Sequence, residues 1–580
     1  MNGPLSYFSS ISDELIIQIL HFCTYDVILR FAATNQRHYG ILSNSTSLKF
    51  HIELEANGLY VVEGSGRGSA TYSHLLDELV RYRDAWLNLD LEQPVDRVSN
   101  REMLLWELRE GNYVVAFTSK SDPMWGTDSW GPDSMQLTPI GSLETPEPIT
   151  FPTVYNELTL DFEQELVALV RTNPDSRTSL EVRLCSTNTG LPHPLARNPI
   201  FFVQIDFQIP GPGHQTFTLE VIGDILVVRI ADILEYKYEI MAWNWKSSAL
   251  LCRIGSTSGL ADFTLLDGAH LALLSVAAAE QGPRVITISL YSMIPHACDE
   301  IPMGPYFCAT EYTCARPLLV FEFPTLDNAY QVSSRVIMRS DPIPGRATYT
   351  KSASFAHSTA LTFSIIISLL RFSSPETDEN SLHFRIFVNT KPLLSYLESV
   401  GQEDTRIIPW EVWGSQATRW FSCDRQTTYW VYWTSGSRFV KVNENPKSTL
   451  ENLSVFDFHP PTVKRFASIS VSAEQGPSHI EKMKENVLKG GGLLIPHPQI
   501  SDPDINHPPL LIDTVGSDMP TVIETGFSVQ VESRLPYRVA TRPSSVLWRE
   551  DWSIDGNHII GMMTQVHDSY DQLTVYKLRV

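Results

Sequence analysis

Acid–base chemistry on a folded body needs two carboxylates facing one another, and this chain offers Asp161, Glu163, Asp224 and Asp267. These residues sit in turn-like stretches, where a short acidic side chain is expected to bond its own backbone, and no spacing brings two of them together. Metal chemistry would have to come from Cys298, Cys308 and Cys314, with His296 close by. Their separations are wider than paired zinc ligands require, so buried or half-buried free thiols are expected. The chain holds no HExxH, no GxSxG and no GxxxxGK(S/T). Gly64-Ser65-Gly66-Arg67-Gly68 does not follow GxGxxG and reads as a flexible turn between helices. The expectation is a non-catalytic protein with no cofactor and no metal.

Binding chemistry is better supplied. Trp410-Glu411-Val412-Trp413-Gly414, Thr418-Arg419-Trp420, Trp430-Val431-Tyr432-Trp433 and Arg438 form the densest aromatic and basic region. Trp and Arg dominate protein–protein hot spots, which makes Arg419 and Arg438 the best exposed candidates for holding a target protein. The same alternation also suits the core of a β-sheet body, and the tryptophans are expected to lie there.

The bulk composition narrows the partners. The 580 residues carry 44 Lys and Arg against 66 Asp and Glu, a formal charge of −22. Such a chain is not expected to bind nucleic acid or an anionic membrane. Seven cysteines without a CxxC fit a reducing compartment, and no basic segment precedes an apolar run near the start, so cytosol or nucleus is expected. The most apolar run, residues 360–370, is too short to span a bilayer.

From about Trp106 onward, short runs of Val, Ile, Leu, Phe, Thr and Tyr recur between Gly, Asp, Asn and Pro, which predicts strands and turns. Related pairs stand out. Gly223-Asp224 leads into residues 225–228 and then 238–246; Asp267-Gly268 leads into 271–274 and then 286–291; Asp555-Gly556 leads into 559–562 and then 573–578. A turn, a buried strand and an outer strand bearing an aromatic make the unit of a β-propeller blade, and the length suits seven blades. Two packed sheets forming a sandwich are the competing all-β arrangement. Residues 137–152 and 495–509 are Pro-rich and read as surface excursions, and Ser478-His479-Ile480-Glu481 opens a capped helix between them.

Ahead of this body the pattern is helical. Ser12 can cap a helix with Asp13 and Glu14 in its first turn, and Ile11 and Ile16 have staple spacing. Leu15, Ile16, Ile19 and Leu20 follow at helical spacing. Two further short helical segments follow at residues 26–33 and 35–42, and residues 72–88 predict a linking helix. Three helices in so few residues bury too little surface to be robust alone, so part of their apolar face is expected to meet a partner.

The order Glu14-Leu15, Ile19-Leu20, Asp26-Val27-Ile28-Leu29-Arg30, Arg37 and Ser47-Leu48 resembles an F-box. The continuation through Ile52-Glu53-Leu54-Glu55-Ala56-Asn57-Gly58-Leu59 and residues 79–89 is similar to a large group of F-box proteins of mushroom-forming fungi. Ser12 stands where that family usually has Pro, and its usual Cys…Trp pair is missing near Thr34 and Tyr39. The resemblance implies a mainly β protein with an F-box three-helix unit at 1–60, a linking helix region at 61–100 and an irregular propeller at 101–580. It also implies the substrate-receptor role in a Skp–cullin–F-box ubiquitin ligase. Ile11, Leu15, Ile16, Ile19, Leu20, Val27 and Leu29 would grip the Skp adaptor, and the propeller would hold an unidentified target protein. The alternatives are a propeller scaffold with no ligase role, whose first helices only cap its body, and a propeller hydrolase with two facing carboxylates in a charged funnel.

Overall fold

A computed structural model describes residues 11–66, 70–98, 103–119, 131–142, 146–211, 216–279, 282–294, 304–372, 381–398, 405–423, 434–443, 449–466, 510–564 and 571–580. Among the described residues, seven antiparallel sheets of four strands follow one another along the chain, the second and fourth widened by an added parallel outer strand; in the sixth the outer strand, Leu511–Val515, precedes its neighbour Tyr537–Val546, so that sheet is not a simple meander. Their first strands are Leu105–Arg109, Glu157–Asp161, Phe217–Ile222, Gly259–Leu265, Tyr330–Arg339, Arg438–Asn443 and Asp551–Asp555. The seventh sheet takes its fourth strand, Val95–Val98, from ahead of the first sheet, with Val95 opposite Val575.

Alternation along each strand puts every second side chain on each face, so each sheet has two apolar faces to bury. It buries them against its two neighbours. Val114 and Met135 of the first sheet pack with Leu160 and Val167 of the second. Phe201 of the second meets Trp243 of the third; Phe263 and Leu273 of the fourth meet Ile240 and Ile254 of the third. Ile288, on the other face of the fourth sheet, shares a core with Phe363 and Ile365 of the fifth. Phe387 of the fifth meets Phe439 and Phe456 of the sixth, and Val455 of the sixth meets Ile554 of the seventh. The seventh returns to the first through Ile560 and Val575 against Tyr113 and Val115. Each pair of successive sheets thus owns one core, and the last core closes the circle. A closed ring of radially packed sheets is the β-propeller arrangement, and it overturns the sandwich alternative.

Local chemistry explains the strand boundaries. Glu110 and Gly111, at φ +51° and +74°, form a two-residue hairpin loop with Arg109 opposite Asn112, the geometry whose twist matches the flanking strands. Gly556 takes φ +58° in the last sheet, where a Cβ would meet the Thr348 carbonyl oxygen at 2.9 Å. Asp267 works differently: its Oδ1 accepts from the backbone N–H of Ala269 and His270, so the side chain makes the turn. Residues 137–152 take in the end of the third strand of the first sheet, Ser134–Pro139, and the whole of the fourth, Ile149–Thr150, and so are not a simple excursion. Trp410–Ala417 is a helix rather than an alternating strand; Trp410 and Trp413 still enter the core between the fourth and fifth sheets. The predicted helix after Ser478 and the Pro-rich stretch at 495–509 lie outside the described residues.

At the front of the chain stand α1 (Asp13–Leu20), α2 (Tyr25–Ala32), α3 (Gln36–Asn44), α4 (Thr46–Ala56) and α5 (Tyr72–Asn88). Ser12 occupies the N-cap of α1 but its hydroxyl makes no capping bond, whereas Asn35, Ser45 and Thr71 do cap α3, α4 and α5. Ile16, Leu20, Ile28, Ile41 and Leu48 form a core separate from those of the ring. Helices α4 and α5 belong to the body as well: Phe50, Leu79, Tyr82 and Trp86 share a core with the sixth and seventh sheets. The carbonyls at the end of α5 accept from the body, Leu87 from Arg538 at 2.9 Å and Asn88 from Arg542 at 3.0 Å. The linking segment is therefore a docked one.

Candidate functional site

On α1, Ile16 and Leu20 make one i,i+4 pair and Leu15 and Ile19 another, one residue round the helix. Only packing decides which pair turns inward. Ile16 and Leu20 are buried, while Leu15 and Ile19 are exposed. Val27 and Leu29 of α2 are exposed as well, and Ile11 is half-buried against the core of the helical unit. Ile16 and Leu20 are accordingly corrected from contact residues to the core that holds α1 in place. Phe22, 93% exposed between α1 and α2, and Tyr39 of α3 add aromatic surface to the unit. Neither falls on the periodic face that the helical spacing singles out; an aromatic in the short turn after α1 was the available signal for Phe22. Arg37 fixes the start of α1, with Nη2 at 2.7 Å from Asp13 and donating to the Ile11 carbonyl at 2.8 Å.

Arg419 and Arg438, expected from sequence to hold a target protein, are not free surface. Arg419 is fully buried: it donates to the carbonyls of Leu535, Met519 and Gly516 and to Thr521 Oγ1, and stands 5.5 Å from the Tyr537 ring centre. Burial without a carboxylate partner pushes its guanidinium down to about 10. Arg438 lies between the sixth sheet and α5, 3.8 Å from Asp457 and 4.9 Å from the Trp86 ring centre. Both are corrected to structural roles.

A second attachment of the helices runs through Glu53 of α4. It meets Arg83 at 2.7 Å and Arg465 at 2.6 Å. Burial opposes its charge, but the hydrogen bonds and charges of Arg465 and Arg83 outweigh this and hold Glu53 below the usual carboxylate range. His357 links the body to the end of α4, with its Nδ1 at 2.7 Å from the Gly58 carbonyl oxygen; burial pushes this imidazole down to about 4.

The ring encloses a cavity of about 300 Å³, lined by residues of six of the seven first strands and by Thr434 and Ser435, just ahead of the remaining one. Its wall carries the carboxylates Glu107, Glu157, Glu220, Asp262 and Asp341 and the guanidinium groups of Arg229 and Arg339. Arg109, behind the wall, reaches Glu107 at 2.7 Å and Glu220 at 3.0 Å. Asp262 accepts from the Met338 N–H at 2.9 Å and lies 3.4 Å from Arg339 and 3.6 Å from Arg229. Glu157 accepts from the Leu158 N–H at 3.1 Å. Burial, outweighing the backbone bond, pushes Glu157 up to about 8. Burial also pushes Glu107 up to about 7, with repulsion from Glu220 and Glu110 partly offset by Arg109. Asp341 is raised well above the usual range by burial and by Asp555. This convergence of charge was invisible in the sequence.

Of the four carboxylates singled out from sequence, only Asp161 and Glu163 come to one place. Asp161 and Glu163 both approach Arg346, the first as a buried ion pair and the second at 4.0 Å. Asp224 pairs with Lys246 at 2.6 Å and Asp267 with His270 at 3.0 Å. Cys308 lies 3.2 Å from the Thr310 hydroxyl and Cys314 is exposed; Cys298 and His296 lie outside the described residues. Among the described residues, no group of three or more His, Cys, Asp or Glu is placed to hold a metal ion, and no helix is long and apolar enough to cross a membrane.

No protein-family model matches the chain, and no curated protein matches it. Among solved structures it is similar to the WD40 domain of coronin from Toxoplasma gondii, with 7% identity, 82% of this chain and 92% of that chain covered, and a TM-score of 0.28. It is similar also to the Dos1 propeller, with 9% identity, 84% and 96% covered, and a TM-score of 0.32. A third likeness is to hydrazine synthase of Kuenenia stuttgartiensis, with 7% identity, 80% and 99% covered, and a TM-score of 0.32. These likenesses are distant, and the propeller assignment rests on the sheet order and the closed circle of cores.

Proposed function

We propose that this chain is the substrate receptor of a Skp–cullin–F-box ubiquitin ligase, working in the cytosol or nucleus. In this reading α1–α3 dock on the Skp adaptor, the seven sheets act as seven propeller blades that hold a target protein, and the chain itself makes and breaks no bond. Its contribution is proximity between a target lysine and a ubiquitin-charged enzyme. One observation carries the reading: Leu15, Ile19, Phe22, Val27 and Leu29 are all exposed on a helical unit that has its own small core. So much apolar surface on adjoining helices favours a partner.

The test is binding of a purified Skp adaptor to the full chain. Wild type should bind, and Leu15→Asp combined with Ile19→Asp should lose at least tenfold in affinity with an unchanged melting temperature. Failure of wild type to bind sinks the proposal, as does undiminished binding by the variant. The docking of α4 and α5 on the sixth and seventh sheets favours a second reading, a propeller scaffold whose helices serve only its own body, and that reading expects no adaptor binding.

A further inference from the structure

We propose that the central cavity binds an organic cation, a protonated amine or guanidinium group carried on an apolar stem. The cavity volume, about 300 Å³, suits a small ligand or a long side chain rather than a bare ion. Its wall places five carboxylates against two guanidinium groups, and those cations are already engaged. Arg229 donates to the Ala261 carbonyl at 2.8 Å and to Thr218 Oγ1, and Arg339 donates to the Phe263 carbonyl at 3.2 Å; both approach Asp262. Arg109 serves Glu107 and Glu220 from behind. Among the described residues, no Lys, Arg or His lies within ion-pair distance of Glu157 or Asp341. One carboxylate oxygen of Glu107, Oε2, is buried with no hydrogen-bond partner.

Five carboxylates against two lining guanidinium groups leave acidic groups that an arriving cation can ionise and pair with, a response that an anion cannot draw from the same wall. A metal ion is a poor fit because no three ligating groups converge among the described residues. Trp106, Phe217 and Leu219 supply the wall with apolar and aromatic surface against which a hydrocarbon stem can lie. Glu107 and Glu157, raised to about 7 and about 8, ionise more readily when a cation arrives, so binding near neutral pH would release protons. The cation can come free or as the Lys or Arg side chain of a bound protein. The inference does not depend on adaptor docking, and its test contains no adaptor.

Calorimetric titration of the full chain at pH 7.5 would use agmatine and a five-residue amide with a central arginine, with butylurea and butyrate as neutral and anionic controls. At least one cationic probe should saturate a single site, with neither control doing so. Tighter binding of the peptide would identify a protein side chain as the source, and binding of agmatine alone a free amine. Glu157→Gln should weaken the cation at least tenfold without lowering the melting temperature, and Asp341→Asn, as a second variant, should do the same. The proposal is overturned if neither cationic probe saturates, if butyrate binds as well as the cations, or if both variants keep wild-type affinity.

Discussion

The Arg438 guanidinium stands 4.9 Å from the centre of the Trp86 ring, so the first strand of the sixth sheet grips α5 through a cation on an aromatic face. Tyr82 lies 5.8 Å from the same guanidinium, and Trp86 itself is buried in the core shared with the seventh sheet. Trp86→Ala should therefore cost about 3–5 kcal/mol and loosen α5 along with the sheets it covers. Denaturant unfolding followed by tryptophan fluorescence and by far-UV circular dichroism would check this. An unchanged midpoint would mean that α5 is an independent linker.

Neighbouring stripes of α1 should respond in opposite ways. Ile16→Ala or Leu20→Ala removes core volume from the helical unit and should cost about 2–5 kcal/mol. Leu15→Ala or Ile19→Ala, on the exposed stripe, should stay within about 0.5 kcal/mol. Hydrogen exchange of the α2 amides reads the difference directly: protection should drop for the first pair and hold for the second.

Glu157 makes a pH prediction with a definite sign. Its folded value, about 8, lies above the ordinary 4.5, so between these the folded chain keeps a proton that the unfolded chain has lost. Its contribution is complete below about 4.5 and is lost as pH rises to about 8. Gln does not titrate, so Glu157→Gln should gain on wild type as pH rises through this window, by a few kcal/mol at most, and level off above it. Glu107, Glu220, Asp262, Asp341, Arg229 and Arg339 face the same cavity in both proteins, and the difference between them reports Glu157 together with its coupling to Glu107. Thermal melts from pH 5 to 9 would show it, and a difference constant with pH would contradict it.

Arg419 donates to three carbonyls and a hydroxyl from a fully buried position. Arg419→Met should cost about 3–5 kcal/mol by leaving those acceptors without a donor. Lys at this position should recover only part of the loss, because an ammonium lacks the planar fork that spans them. Chemical denaturation of the three proteins orders them, and a Met variant as stable as wild type would refute the structural role.

Much of the body was legible because β-strand chemistry is local. Residues 166–171, 225–230 and 270–276 declare themselves by β-branched and aliphatic runs between turn residues, and each lies within an observed strand. Tyr72–Asn88 was readable as a helix for the same reason. The cavity was not, because Glu107, Glu157, Asp262 and Asp341 are separated by long stretches of chain and meet only when the ring closes. Arg419 was misread because composition makes an arginine an exposed residue until tertiary acceptors are known. On α1, two adjacent apolar pairs gave equal claims to the surface, and only the positions of Ile28, Ile41 and Leu48 decide between them.

The pairing of Val95–Val98 with Asp571–Lys577 gives the molecule a timetable. On the ribosome, Val95–Val98 emerges ahead of the first sheet and its partner only after the sixth, so the circle cannot close until all seven sheets have been made. The first helices, whose contacts are local, can assemble at once. Until the circle closes, the face of the first sheet that carries Tyr113 and Val115 waits uncovered for Ile560 and Val575, apolar surface of the kind that invites wrong partners during folding.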